Sequence, residues 1–321
     1  MPLCAICLQR EADQTGSHML SAFIIESTVG ERGKEKGYLI DDEPNFDYRN
    51  NTGAAPVVED YLFCRGCEQR MSYIEGYICR EYRDKIKTER FAQGFRDIHL
   101  PEQQDFIREA KNVDPLVFTL LIATLLFRIS LSSSKLFREF ELRPDEQEQL
   151  RVLINEALPA YENFKVKIKN NKYISELNQK RELFEGLYYI ICTYDHLENP
   201  TEGYNLAHPE FRLPYNIMLG QIIVFFFFEK PRAGARYLDY FKVLDSHDIT
   251  AITNAPGDKI KTLIIAEENW KAILERERNK LVEKKVPGLM NKFVADFIRD
   301  HNRDPTNDDW LNYVKENFPE E

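Results

Sequence analysis

The chain has 321 residues, 43% of them hydrophobic and 30% charged, with a net charge of −10. These values exclude global disorder and predict a sizeable core. The acidic balance argues against simple coating of nucleic acid but leaves room for a local basic strip.

The N-terminal stretch "MPLCAICLQREADQTG" has no basic start followed by an apolar run, so no secretory signal is expected and the cytoplasm is the default location. Residues 1–80 carry two Cys-x-x-Cys pairs around a polar middle, "GERGKEKGYLIDDEPNFDYRNNTGAAP", which reads as an extended loop. Met71, Ile74, Tyr77, Ile78 and Tyr82 recur at three- and four-residue spacing, which predicts helix over 68–96. The following region, 97–186, reads as mainly helical. Its central helix opens with Asp114 as N-cap and Pro115 at the first helical position, and is apolar all round, so it belongs in the core. A second helix starts at Pro144 and ends before Pro159. "LYYIICTY" and "IMLGQIIVFFFF" read as buried strands, and the run Phe225–Phe228 as strand buried on both faces. Helix returns in "EENWKAILERERNKLVEK", "KFVADFIRDHNR" and "DWLNYVKENF". The apolar stretches 116–127 and 217–228 fall short of the roughly 18–20 residues of a membrane helix, and no membrane span is expected. The expectation is an α+β protein: a zinc-binding module over 1–96 and a larger, mainly helical body with a small sheet over 97–321.

Cys4, Cys7, Cys64 and Cys67 carry the strongest chemical signal. Zinc favours four ligands in a tetrahedron, and each Cys-x-x-Cys turn supplies two thiolates from one side, so the two pairs together predict one structural Zn²⁺. The long separation between them is no obstacle, because loop closure costs grow only logarithmically with length. One knuckle before a hairpin and a second leading directly into a helix follow the plan of a treble-clef finger. Cys79 and Cys192 lie in apolar surroundings and read as buried small hydrophobes.

The order Cys4-x-x-Cys7, then Ser17-His18 with an apolar follow-on, then "LFCRGCE" with Glu75 a few turns later, resembles the zinc-braced HNH nuclease superfamily. More narrowly, it is similar to uncharacterised bacterial proteins with a "C-x-x-C … SH … LC-x-x-CE … E" head and a helical body. The likeness covers about the first 80 residues. It implies a metal-dependent endonuclease acting on DNA or RNA, in a setting such as anti-phage defence. His18 would be the general base that activates water, and Glu68 would help hold a catalytic Mg²⁺ or Mn²⁺. The superfamily usually has an acidic residue or His where Ser17 stands, and His or Asn where Glu68 stands. Asn50, Asn51 and Asp60 are the other candidates for an intermediate ligand. A non-catalytic alternative stands beside this one: His18 as a hydrogen-bonding residue of the finger, Glu68 as a favourable charge in the first turn of a helix, and the whole chain as a zinc-finger protein that binds a protein partner or a second copy of itself. Glu75 reads as a solvated or salt-bridged helix residue. "REYRDKIKTERFAQGFR" mixes Arg80, Arg83, Lys85, Lys87, Arg90 and Arg96 with Tyr82, Phe91 and Phe95, which suits a phosphate backbone, although the interspersed acids equally suit an exposed helix face.

Overall fold

The computed structural model of the protein describes residues 1–21, 37–39, 47–49, 58–86, 93–100, 104–133, 137, 140–159, 172–194, 205–208, 214–219, 222–232 and 249–317. The fold class is α+β, as expected. By their contacts the described residues divide into a larger unit that runs to Glu267 and a smaller one made chiefly of the chain from Glu268 onward.

The front of the chain is a tight turn. Leu3 and Glu11 form an isolated bridge, Cys4 N–H donates to Arg10 O at 2.8 Å, and Leu8 N–H donates to Cys4 O at 2.9 Å. Leu8 closes this turn at φ 53°, a left-handed conformation that L side chains adopt at a cost. Strand β1 (Ser17–His18) then pairs antiparallel with β4 (Val58–Glu59), Ser17 opposite Glu59. Between them in sequence, β2 (Gly37–Leu39) and β3 (Asp47–Arg49) make a separate two-stranded sheet. Helix α1 (Arg65–Ile78) starts directly after Cys64 and buries Cys67, Met71, Ile74, Tyr77 and Ile78, the stripe its spacing predicted. It runs on through a π-helical turn, Cys79–Arg83, into the short α2 (Asp84–Ile86).

Helix α3 (Pro115–Leu131) is the axis of the larger unit. Asp114 Oδ1 accepts from Val117 N–H at 3.0 Å, and Pro115 occupies the first helical turn, so the N-terminus forms as its sequence predicts. Every residue from Leu116 to Ile129 is buried. Helix α4 (Pro144–Ala157) ends just short of Pro159, and its last carbonyls are not left bare: Arg70 of α1 donates to Asn155 O, Leu158 O and Pro159 O at 2.7–2.9 Å. The short α5 (Lys172–Asn178) follows.

The sheet is larger than the sequence reading gave. It has seven strands in the order β5-β6-β11-β7-β10-β9-β8, namely β5 (Phe95–His99), β6 (Phe106–Ala110), β7 (Tyr188–Tyr194), β8 (Asn205–His208), β9 (Tyr215–Leu219), β10 (Ile222–Phe227) and β11 (Lys261–Ile265). All neighbours are antiparallel except β11 and β7. β7 and β10 are the predicted buried strands; "IMLGQIIVFFFF" supplies two strands, β9 and β10, rather than one. Phe225, Phe226 and Phe227 are all buried, as expected. Strands β5, β6 and β11 went unread. Helix α3 meets the sheet where Phe118 stacks on Tyr189, ring centroids 5.9 Å apart. A short helix α6 (Ile249–Ile252) precedes β11.

In the smaller unit, α7 (Glu267–His301) and α8 (Asn307–Asn317) are joined by a short turn. Asn302, at φ 50°, ends α7 in the left-handed conformation common after helices. Thr306 and Asp309 cap α8 reciprocally, and Phe293 packs its ring against Trp310 and Tyr313, 5.2 and 4.9 Å between centroids.

Candidate metal centre

The two cysteine pairs converge. The Sγ atoms of Cys4, Cys7, Cys64 and Cys67 all lie within 4.8 Å of one another. Tetrahedral zinc thiolates, with bonds of about 2.3 Å, place sulfurs about 3.8 Å apart, so a small inward movement of the tetrad would complete the shell. The backbone builds this approach. Ala5 N–H donates to Leu62 O at 2.9 Å, Gln14 N–H to Phe63 O at 3.1 Å, and Tyr61 N–H to Gln14 O at 2.9 Å, lacing the first knuckle to the second. The Asp13 carboxylate accepts from Arg65 N–H at 2.8 Å at the start of α1, and Arg151 of α4 donates to Ile6 O at 2.9 Å inside the first knuckle. Cys4, Cys64 and Cys67 are buried; Cys7 is half-buried and borders a cleft of about 750 Å³ between the knuckles and the ends of α4 and α5.

The electrostatics of the tetrad suit a cation. A hydrogen bond from the Cys67 thiol, helped by the N–H groups of Cys7, Cys64 and Ile6, pulls Cys4 down to about 4 against the opposing effect of burial. Cys64 is pushed up by burial, and Cys67 is pushed up by its bond to Cys4 and by burial. The thiolate form is thus favoured at Cys4 and disfavoured at Cys64 and Cys67. Four close sulfurs, backbone N–H groups directed at them and the fully buried Ile6 and Phe63, each next in sequence to a ligand, fit a structural metal such as zinc.

Glu68 follows Cys67 directly in the first turn of α1, and His18 ends the short strand β1. β1 is held against α3 by Arg128, whose guanidinium donates through Nη1 to His18 O at 2.9 Å and through Nη2 to Ser21 Oγ at 3.2 Å. Nη2 also pairs with the Glu75 carboxylate, which accepts a further bond from Ser21 Oγ at 2.7 Å. Glu75 is thus salt-bridged, one of the two roles read for it, and its partner is 2% exposed. Glu68, in the first turn of α1, is half-buried. Burial raises its pKa, opposed by the charge of Arg128 and reinforced by that of Glu75. Ser17 Oγ lies beside the same carboxyl and favours its charged form, but without a formed hydrogen bond. His18 is half-buried, with Nδ1 itself buried.

Other candidates take structural places. Asp60 Oδ1 accepts from Gly16 N–H at 2.7 Å, which fixes the entry to β1. Glu59 of β4 accepts from Ser132 and Ser133 at the end of α3. Asn50 and Asn51 lie outside the described residues. In the basic–aromatic segment, Tyr82 and Phe95 are core residues, and Tyr82 hydrogen-bonds Thr262. Lys85 pairs with Glu81 at 2.6 Å, while Lys87, Arg90 and Phe91 lie outside the described residues. Arg128 is the important residue that sequence reading missed; within an apolar helix it read only as the end of a hydrophobic run. No helix among the described residues is long and apolar enough to cross a membrane. The chain matches no protein family, no curated protein and no solved structure.

Proposed function

We propose that the chain is a divergent HNH-type, metal-dependent endonuclease of DNA or RNA, braced by one structural zinc on Cys4, Cys7, Cys64 and Cys67. The single observation that supports this reading is the Ser17 hydroxyl beside the half-buried Glu68 carboxyl, which sets the residue before His18 against the first turn of the helix that carries Cys67. His18 would take the proton from the attacking water. Glu68 would help hold Mg²⁺ or Mn²⁺, which when bound offsets charge developing on the phosphate. A role in anti-phage defence follows from the resemblance of the first 80 residues and belongs to the same proposal.

A second reading is favoured by one specific observation. Arg128 already supplies a buried positive charge to the Glu75–Glu68 pair of carboxylates, which is what a purely structural network requires, and on that reading the finger presents the helical body to a protein partner. A cleavage assay on single- and double-stranded DNA and on RNA, with Mg²⁺ or Mn²⁺, separates the two. The nuclease reading expects metal-dependent cleavage that His18→Ala and Glu68→Gln each abolish while zinc content stays at one per chain. Wild-type protein that is fully zinc-loaded and inert on all substrates, or cleavage untouched by His18→Ala, refutes it.

A further inference from the structure

Three buried polar atoms have no hydrogen-bond partner from the protein, Ser17 Oγ, Glu68 Oε2 and Arg128 Nε, and Ser17 and Arg128 both act on the Glu68 carboxyl. Ser17 and Arg128 are 1% and 2% exposed, so none of this is solvent-facing polarity. Orphaned groups of this kind are costly, at about 1–3 kcal/mol each, and native proteins resolve them with buried water when the surroundings are polar. The three atoms specify the guest by their chemistry. Nε carries a hydrogen and needs an acceptor. Oε2 of a carboxylate needs a donor. At this point a metal cation cannot accept from Nε–H and would face the guanidinium charge, so the Mg²⁺ or Mn²⁺ of the nuclease reading would bind through the other carboxylate oxygen, Oε1; a simple anion cannot donate to Oε2. A water molecule does both and has a second hydrogen for Ser17 Oγ, reaching the usual number of about three bonds.

We propose that one ordered water bridges Arg128 Nε, Glu68 Oε2 and Ser17 Oγ, and that Arg128 is thereby the positioning residue of the site. Through Nη1 and Nη2 it fixes the His18 carbonyl, Ser21 and Glu75; through the water it fixes Glu68. One guanidinium then sets the relative placement of the strand end that bears His18 and the helix turn that bears Glu68. The positioning role rests on the nuclease reading above, whereas the water does not.

The test of the water is a crystal structure of the full zinc-loaded chain at a resolution that shows ordered solvent, with a Mn²⁺ soak read by anomalous scattering. The expected result is a non-anomalous oxygen within hydrogen-bond distance of Nε, Oε2 and Oγ. A direct Nε–Oε2 contact with nothing between, or an anomalous peak at that point, overturns the proposal. The test of positioning is Arg128→Lys, which keeps the charge but lacks Nε and the planar fork. It should lower kcat for Mg²⁺-dependent cleavage about tenfold, with KM within about twofold of wild type. Should Arg128→Lys not fold, Ser17→Ala removes a single bond to the water and carries the same expectation in smaller degree; kcat unchanged in the variant that folds overturns the role. Wild-type protein that never cleaves would sink the nuclease reading and the positioning role, while the electron density still decides the water.

Discussion

Removing Glu75 should cost the larger unit far more than its place on a helix would imply. In Glu75→Ala the Arg128 guanidinium keeps His18 O and Ser21 Oγ but loses the carboxylate it pairs with directly, while remaining 2% exposed. A buried charge stripped of its directly bonded counter-ion costs about 3–5 kcal/mol, against about 0–1 kcal/mol for an exposed pair, and the Glu68 carboxyl, which acts on Arg128 only at longer range, sets the cost toward the lower end. At roughly 2–4 °C per kcal/mol for a unit of this size, the melting temperature should fall by roughly 6–20 °C. Replacing both partners, Glu75→Leu with Arg128→Met, removes the stranded charge. What remains is chiefly the His18 carbonyl without its donor, about 1–3 kcal/mol, so the double variant should be more stable than Glu75→Ala alone. Urea unfolding at saturating zinc, followed by far-ultraviolet circular dichroism, measures wild type, Glu75→Ala, the single variants Glu75→Leu and Arg128→Met, and the double variant. A Glu75→Ala cost under about 1 kcal/mol, or a double variant that simply adds the two single costs, would refute the buried-pair account.

Three further outcomes follow from particular residues. Metal analysis should give one zinc per chain, and Cys64→Ser should lose it together with cooperative unfolding, since structural zinc contributes folding energy directly; a zinc-free chain that melts like wild type would contradict the tetrad. Leu8 sits exposed at φ 53°, so Leu8→Gly should raise stability by about 0.5 kcal/mol, the relief of left-handed strain less the entropy of glycine, and a loss beyond about 1 kcal/mol by the same denaturation assay would contradict it. Burial raises the pKa of Asp114 even though it caps α3, so the folded state takes up a proton here before the unfolded state does and the Asp114 contribution weakens as pH rises through that window. Asp114→Asn keeps the cap without the charge: it should match or exceed wild type at pH 7, with its advantage shrinking as pH falls below the raised pKa, and an Asn variant less stable at neutral pH would reverse the sign.

Local signals were legible and distant ones were not. Two Cys-x-x-Cys turns carry their chemistry in their spacing, and Asp114-Pro115 announces a helix start whatever lies around it. The α1 stripe and the strands β7 and β10 are read from apolar pattern alone. Strands β5 and β6 are different. Their sequences, "FRDIH" and "FIREA", are short and charged because they lie towards one edge of the sheet, where Arg108 can pair with Asp97 across the register at 2.9 Å. Phe95 and Arg96 fell at the end of the stretch that reads as an exposed helix face or a phosphate-binding strip, and the remaining residues fell in a region that reads as mainly helical. β11 pairs in parallel with a strand some seventy positions away, and nothing within "KTLII" encodes that partner.

Arg128 shows why the candidate site was only half readable. Seen along α3 it is one cation at the end of an apolar run, yet its partners are Glu75, Ser21 and the His18 carbonyl, 53 to 110 positions away in the chain. The sulfur tetrad and the guanidinium both fasten α1 to the front of the chain: the tetrad ties the first knuckle to the start of α1, and Arg128 ties β1 to Glu75 in the last turn of α1. Two fasteners on one joint mean that losing either should loosen the other. Metal removal should therefore expose the Arg128–Glu75 pair to solvent exchange, and Glu75→Ala should weaken zinc retention against a chelator, although neither Glu75 nor Arg128 touches the metal. If the two losses prove independent, the finger is only an appendage to the helical body, and the neighbourhood of His18 and Glu68 loses the rigidity that any chemistry there would require.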